Sequence, residues 1–240
     1  MEPYERHASG YARELDPTLA GAVERMVELA DARPGIRLLD LATGTGTIAR
    51  AAAARGSSVV AVDASARMLE VARSLEPDLD LRLGDAYALP LGDDEFDVVT
   101  CGLSLSHFGE PERALREVMR VLRRPGRLVA SAWAAGSSTP SGIVAPLLDR
   151  HAAAGDRLDE ETWSSGARGA EILRRAGFAS VSVLTETFHG AFAGADEALA
   201  WATAWPLAAA RIASLAWTFA FVFYVADAPR DRASRRRRRG

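Results

Sequence analysis

The sequence contains no lysine, no asparagine and no glutamine, and only one cysteine, Cys101. Without side-chain amides it cannot read a base edge or an adenine ring as Asn and Gln do, and without lysine it cannot form a Schiff base. Alanine and arginine are abundant instead, as GC-rich coding would give. A lone cysteine excludes an intramolecular disulfide and a multi-cysteine metal site. Long hydrophobic runs are also missing. The longest, Leu215 to Ala226, is too short to cross a bilayer as a helix. The polar start MEPYERHASGYARELD lacks the apolar core of a signal peptide. These absences predict a soluble cytoplasmic protein.

Positive charge is unevenly distributed along the chain. The formal net charge is -3, but Arg235 to Arg239 form an unbroken run, and the rest carries about -8. An acidic body argues against a nucleic-acid face, because phosphate chains are held by clustered positive charge. The arginine run reads as a solvated tail, with an RNA, membrane or targeting element as the alternative.

What is present is a regular alternation. Apolar positions at helical spacing from Tyr11 to Ala30, interrupted by Pro17, predict one or two helices before a first strand at Arg37–Leu41. The stretch LLDLATGTGTIA, Leu38 to Ala49, then reads as strand, glycine turn and helix. A second strand over Ser58–Val62 ends at Asp63, and a helix follows from Ala66 to Leu75. A third strand, Asp80–Leu83, ends in Gly84, Asp85 and Ala86. A fourth, Phe96–Cys101, precedes the loop GLSLSHFGEP and a helix over Glu112–Leu122. The turn Arg124-Pro125-Gly126 leads to a fifth strand, Arg127–Ala132. Five strands separated by helices mean a parallel sheet wound on both faces. Later elements are a helix over Ile143–Ala154, a helix over Arg168–Ala176, a strand over Ser180–Thr187, a helix over Ala195–Ser214 and a strand over Trp217–Val225.

In an open α/β sheet the ligand lies across the carboxyl ends of the strands. Strands one to four end here at Asp40, Asp63, Asp85 and Cys101. The turn itself fits the dinucleotide pattern G-x-G-x-x-A, Gly44 to Ala49, which leaves a nicotinamide dehydrogenase as one reading. Three carboxylates around the turn, however, would repel a pyrophosphate and suit a ligand with positive charge and hydroxyl donors.

The motifs LLDLATGTG, VVAVDASARML, LRLGDAYALPL, FDVVTCGLSLSHF and LRRPGRLVASAW, in that order over Leu38 to Trp133, resemble those of class I S-adenosylmethionine-dependent methyltransferases. The likeness is greatest to the small-molecule branch that holds ubiquinone and menaquinone C-methyltransferases and natural-product O-methyltransferases. It implies an α/β fold: a Rossmann-like doubly wound sheet of five parallel strands, a late helix-linked strand pair with one antiparallel strand, and a partly helical cap. The implied divisions are an N-terminal helical segment over 1–35, a cofactor-binding core over 36–133, a cap over 134–166, the C-terminal part of the sheet over 167–228 and a basic tail over 229–240.

The implied cofactor is S-adenosyl-L-methionine, and the implied cofactor-binding set is Asp40, Ala42, Gly44, Gly46, Asp63, Ala64, Met68, Asp85, Ala86 and Cys101. Asp63 would accept from the ribose hydroxyls, or else cap the following helix. Asp85 would accept from the adenine amino group with the Ala86 N–H on a ring nitrogen, or else shape its turn. Met68 would pack on adenine or fill the core. Asp40 would order the glycine turn and the methionine amino group, and Gly44 and Gly46 would let the backbone approach.

For the acceptor, the chain lacks the Asp/Asn-Pro-Pro-aromatic motif of adenine amino-methylation and the Pro-Cys nucleophile of cytosine C5 chemistry, and its ends of strands four and five offer no acids for Mg. A small-molecule acceptor remains, with no metal, no nucleic acid and no membrane span; a homo-oligomer is compatible with it. His107, after strand four, is the candidate base if a hydroxyl is methylated, with packing as its alternative role. His7, His151 and His189 are weaker candidates. Trp133, Ile143, Leu147, Trp163, Phe192, Trp201 and Trp205 could line an acceptor pocket or pack in the core, and Tyr4, His7 and Tyr11 could cover a ligand. A cyclisation on the same fold and cofactor is the alternative reaction.

Overall fold

The computed structural model describes residues 8–9, 12–13, 16–134, 160–191 and 216–230. The expected helices over 143–154 and 195–214, the arginine run, and Tyr4, His7, Tyr11, Ile143, Leu147, His151, Phe192, Trp201 and Trp205 lie outside the described residues.

Among the described residues seven strands form one sheet: β1 (Arg37–Leu41), β2 (Ser58–Asp63), β3 (Asp80–Leu83), β4 (Phe96–Gly102), β5 (Leu122–Trp133), β6 (Ser180–Ala191) and β7 (Ala216–Asp227), in the order β3-β2-β1-β4-β5-β7-β6. The first five pair in parallel, and β7 lies antiparallel between β5 and β6. The order reverses between β1 and β4, which opens the crevice at their carboxyl ends.

The helices are α1 (Ala20–Leu29), α2 (Thr47–Ala54), α3 (Ala66–Leu75), α4 (Pro111–Val121), α5 (Glu160–Ser164) and α6 (Ala167–Ala176). The N-terminal break at Pro17 lies in a short 3-10 turn, Asp16–Leu19, which leads directly into α1. Strand alternation divides the interior into two faces. Leu38, Val98, Val129, Phe219, Phe221 and Phe223 meet Met26 and Val27 of α1 on one side. Leu39, Leu41, Val99, Leu128 and Tyr224 meet Leu115, Val118 and Leu173 of α4 and α6 on the other. The β7 sequence AWTFAFVFYVAD thus supplies both faces, with its phenylalanines at alternate positions on one of them.

Several boundaries differ from the sequence expectation. Helix α4 starts one residue earlier, because Pro111 suits the first helical position, where no N–H is required. β5 begins at Leu122 rather than Arg127. Leu122 pairs with Phe96 and Arg127 with Val98, so the Arg124-Pro125-Gly126 segment is an irregularity within the strand instead of a turn before it. β6 also runs past Thr187 to Ala191, carried by its full-length pairing with β7.

Helix α6 ends on Gly177 at φ 104°, whose N–H bonds the Arg174 carbonyl while Phe178 reaches back to Leu173. Its Gly169 faces β7 closely: an added β-carbon would lie 2.5 Å from the Tyr224 hydroxyl and 2.8 Å from the Trp163 ring. We expect Gly169→Ala to lower unfolding stability by about 1–3 kcal/mol through overpacking, read as a lower denaturant midpoint. An unchanged midpoint would show that these rings can yield.

Candidate active site

The site grows from the end of β1. Beyond Leu41 the chain turns through Ala42, Gly44 and Gly46 at φ 55°, 57° and 80°. Glycine takes this left-handed conformation without a Cβ penalty, while Ala42 holds it at a cost of about 1 kcal/mol. The Thr43 N–H donates to the Val62 carbonyl at 3.0 Å, which pins the turn over the end of β2. Helix α2 then starts at Thr47, and its buried Ala49 and Ala52 let it sit close to the sheet.

Asp40 lies beneath this turn, 1% exposed. Its carboxylate accepts from the Thr43 hydroxyl at 2.6 Å and the Thr100 hydroxyl at 2.7 Å. Burial pushes its pKa up to about 6, against the opposing pull of those bonds and of the Ala49 N–H. Asp40 therefore ties β1, β4 and the turn together.

Asp63, half-buried at the end of β2, accepts from the Gly44 N–H and the Ser65 N–H, both at 2.8 Å. The cap of α3 is Ser65, whose hydroxyl accepts from the Met68 N–H at 3.1 Å. The helix-cap alternative for Asp63 thus falls to its neighbour, and Asp63 instead bridges β2 and the glycine turn. Ala64 beside it is exposed, and Met68 is 4% exposed on the inner face of α3.

Asp85 is exposed beyond β3 and accepts from the Tyr87 N–H at 2.9 Å, which shapes its turn. That turn is anchored where the Gly84 N–H donates to the Asp63 carbonyl at 2.9 Å, and half-buried Ala86 packs on the core. The structure thereby brings Asp40, the glycine turn, Asp63 and the Asp85 turn into one hydrogen-bonded run. Cys101 stands apart: its sulfur is fully enclosed in the core, and burial, assisted by the Asp40 charge, pushes the thiol's pKa up, so only its backbone faces the strand ends. His107 sits exposed on a 3-10 turn, Leu105–His107, just beyond β4. Its crowded surroundings pull the imidazole pKa down, and its exposure limits that pull. His189 is on edge strand β6, away from these strand ends.

Sequence reasoning missed Asp16. It lies 7% exposed over the glycine turn, where one oxygen accepts from the Thr45 hydroxyl at 2.7 Å and stands 3.7 Å from the Arg50 guanidinium. Its other oxygen, Oδ1, is buried without a hydrogen-bond partner among the described residues. Burial raises its pKa, and Thr45, Thr47 and Arg50 oppose the rise. The one signal was the run TGTGT, whose hydroxyls are donors suited to carboxylates.

A family profile described as "Methyltransferase domain" matches residues 39–130, β1 to β5. A demethylmenaquinone methyltransferase from Clavibacter sepedonicus is 38% identical over 164 residues, 61% of this chain and 67% of that protein. The chain belongs to the class I S-adenosylmethionine-dependent methyltransferases. Another demethylmenaquinone methyltransferase, from Renibacterium salmoninarum, is 44% identical over 106 residues, and the matched stretch spans under half of each protein, 44% of this chain and 45% of that one. The crystal structure of the YcgJ protein from Bacillus subtilis superposes on this methyltransferase with a TM-score of 0.62 at 21% identity, covering 87% of this chain and 98% of that one. That likeness is one of fold.

The cofactor of this methyltransferase is S-adenosylmethionine. Its site chemistry fits such a group. Carboxylates Asp16, Asp40 and Asp63 surround the turn with Arg50 near one of them, and the orphaned Asp16 oxygen is a ready acceptor for a cationic donor. A pyrophosphate would meet three acids there. Among the described residues no helix is long and apolar enough to cross a membrane.

Proposed function

We propose that this methyltransferase moves a methyl group to an oxygen or carbon of a small molecule, with quinols and natural products as the acceptor class. The supporting observation is the ordered set of acids closing β1, β2 and β3 around one left-handed turn. Names of relatives that act on demethylmenaquinone favour the quinol end of that class.

In this reading Asp63 accepts from the ribose hydroxyls, as a half-buried carboxylate with two oxygens facing two donors can. Asp85 and the Ala86 N–H read the adenine edge, and Met68 backs the ring. The backbone of Ala42, Gly44, Gly46 and Ala64 gives close approach, and Asp40 holds the turn from below. The role of meeting the methionine ammonium moves from Asp40, whose oxygens serve Thr43 and Thr100, to the unpartnered oxygen of Asp16. The core over 36–133 holds the cofactor, and the expected cap over 134–166 lies mostly outside the described residues. Bound S-adenosylmethionine supplies an electrophilic methyl on a sulfonium. The protein's work is to hold the acceptor in line with it and keep water away. Where a hydroxyl is the target, His107 accepts its proton.

The test is transfer of labelled methyl from S-adenosylmethionine to a panel of phenols, quinols and macrolides. We expect label in at least one quinol or phenol, with a mass gain of one methyl. Turnover without a mass gain would favour cyclisation, and preferential binding of NAD would sink the methyl-transfer reading.

A further inference from the structure

The ends of β4 and β5 frame a small pocket lined, among the described residues, by Leu103, Ser106, Ala132, Trp133 and Trp163. Its volume is about 10 Å³, the room that one water or one oxygen-sized group needs. It lies at the carboxyl ends of the strands, on the turn that carries His107.

Trp163 is the unusual member. Its ring is fully buried and stands edge-on to Tyr224, centroids 5.6 Å apart at 89°. The Tyr224 hydroxyl donates to the Trp163 backbone carbonyl, and α5 packs against the 3-10 turn, β5 and β7. The indole is therefore pinned at both its backbone and its ring. Yet its Nε1–H is buried with no hydrogen-bond partner among the described residues. An indole nitrogen only donates, so what it lacks is an acceptor. Buried donors are rarely left unpaired, because desolvating one without a partner opposes folding. The rest of the lining is apolar apart from Ser106.

We propose that the Trp163 indole N–H fixes a hydrogen-bond-accepting oxygen of the methyl acceptor in this pocket, so that the enzyme selects flat apolar rings bearing a carbonyl, phenolic or phenolate oxygen. The pocket takes the oxygen, and the faces of Trp133 and Leu103 meet the ring beside it. This role presupposes the methyl-transfer site described above. It supplies a preference that the apolar walls alone cannot, since a site built to donate a hydrogen bond discriminates against an analogue lacking the acceptor.

The experiment uses the full chain saturated with S-adenosylhomocysteine and follows indole N–H signals in a proton–nitrogen correlation spectrum. The Trp163 signal is the one absent in Trp163→Phe. The probes are 2-methyl-1,4-naphthoquinone and 2-methylnaphthalene, which share the rings and differ in the acceptor oxygens. We expect the quinone to move the Trp163 signal downfield and the hydrocarbon to leave it in place. Trp163→Phe should weaken quinone binding about tenfold, the scale of one buried hydrogen bond, and leave S-adenosylhomocysteine affinity unchanged. A quinone that does not bind, that binds without moving the signal, or that binds Trp163→Phe equally well overturns the assignment, as does an equal shift with the hydrocarbon. Should Trp163→Phe not fold, the wild-type signal assigned through its own ring protons decides the matter. Failure of the wild type to bind S-adenosylhomocysteine would instead overturn the cofactor site, and this role with it.

Discussion

Asp63→Ala is expected to lose S-adenosylmethionine binding by more than 100-fold. Two effects combine. In the proposed complex the carboxylate accepts two charge-assisted hydrogen bonds from the ribose, each worth about 1.5–3 kcal/mol, and about 3 kcal/mol already corresponds to more than 100-fold in Kd. In the protein itself Asp63 also accepts from the Gly44 and Ser65 N–H groups, so its removal loosens the glycine turn. Calorimetry with S-adenosylhomocysteine measures the loss. Adenosine separates the two effects: it carries the ribose without the methionine part, so its binding should fall with the ribose contacts. Unchanged affinity for both ligands would remove Asp63 from the site.

The second large effect concerns Asp40 and pH. Its pKa is 3.8 unperturbed and about 6 in the folded protein, raised by burial. The folded state therefore holds a proton that the unfolded state has released between those values. Stability contributed by protonated Asp40 is complete below about pH 4 and is lost as pH rises through about 6, a difference of roughly 3 kcal/mol. Asp40→Asn, which never ionises, should flatten that segment of the stability curve, although its amide leaves one of the Thr43 or Thr100 hydroxyls to reorient. Urea unfolding at pH 4, 5, 6 and 7 on both proteins checks this. Parallel curves would mean that the three donors around Asp40 offset its burial fully.

How much of this was legible in the sequence follows from the kind of interaction involved. β1 to β4 were placed to within a residue because buried parallel strands are continuous apolar runs with glycine or an acid at their ends, as in VVAVD. The acids at those ends were legible as a set, since α/β topology forces strand ends together. The start of β5 was not: Arg123 to Gly126 reads as a turn by composition, and only pairing of Leu122 with Phe96 shows the strand passing through it. Asp16 was hard to find because its partners, Thr45 and Arg50, are 29 and 34 positions away, and the run TGTGT offers donors without showing which acid meets them. Trp163 was legible as apolar, but an unpaired indole N–H is a property of packing. Cys101 shows the converse. Its position at a strand end was right, yet strand alternation turns its side chain into the core.

The placement of β7 bears on how the molecule can be made. Among the described residues it is the last of the seven strands in sequence, yet it sits inside the sheet and presents Phe219, Phe221 and Phe223 to one face and Val222 and Tyr224 to the other. While the chain emerges from the ribosome, β1 to β5 can pair in order, but β5 keeps an open edge and β6 has no neighbour until residues beyond 216 appear. The cofactor-binding half can thus assemble early, and the sheet's completion waits on β7, leaving a growing chain with a sticky edge for a chaperone to cover.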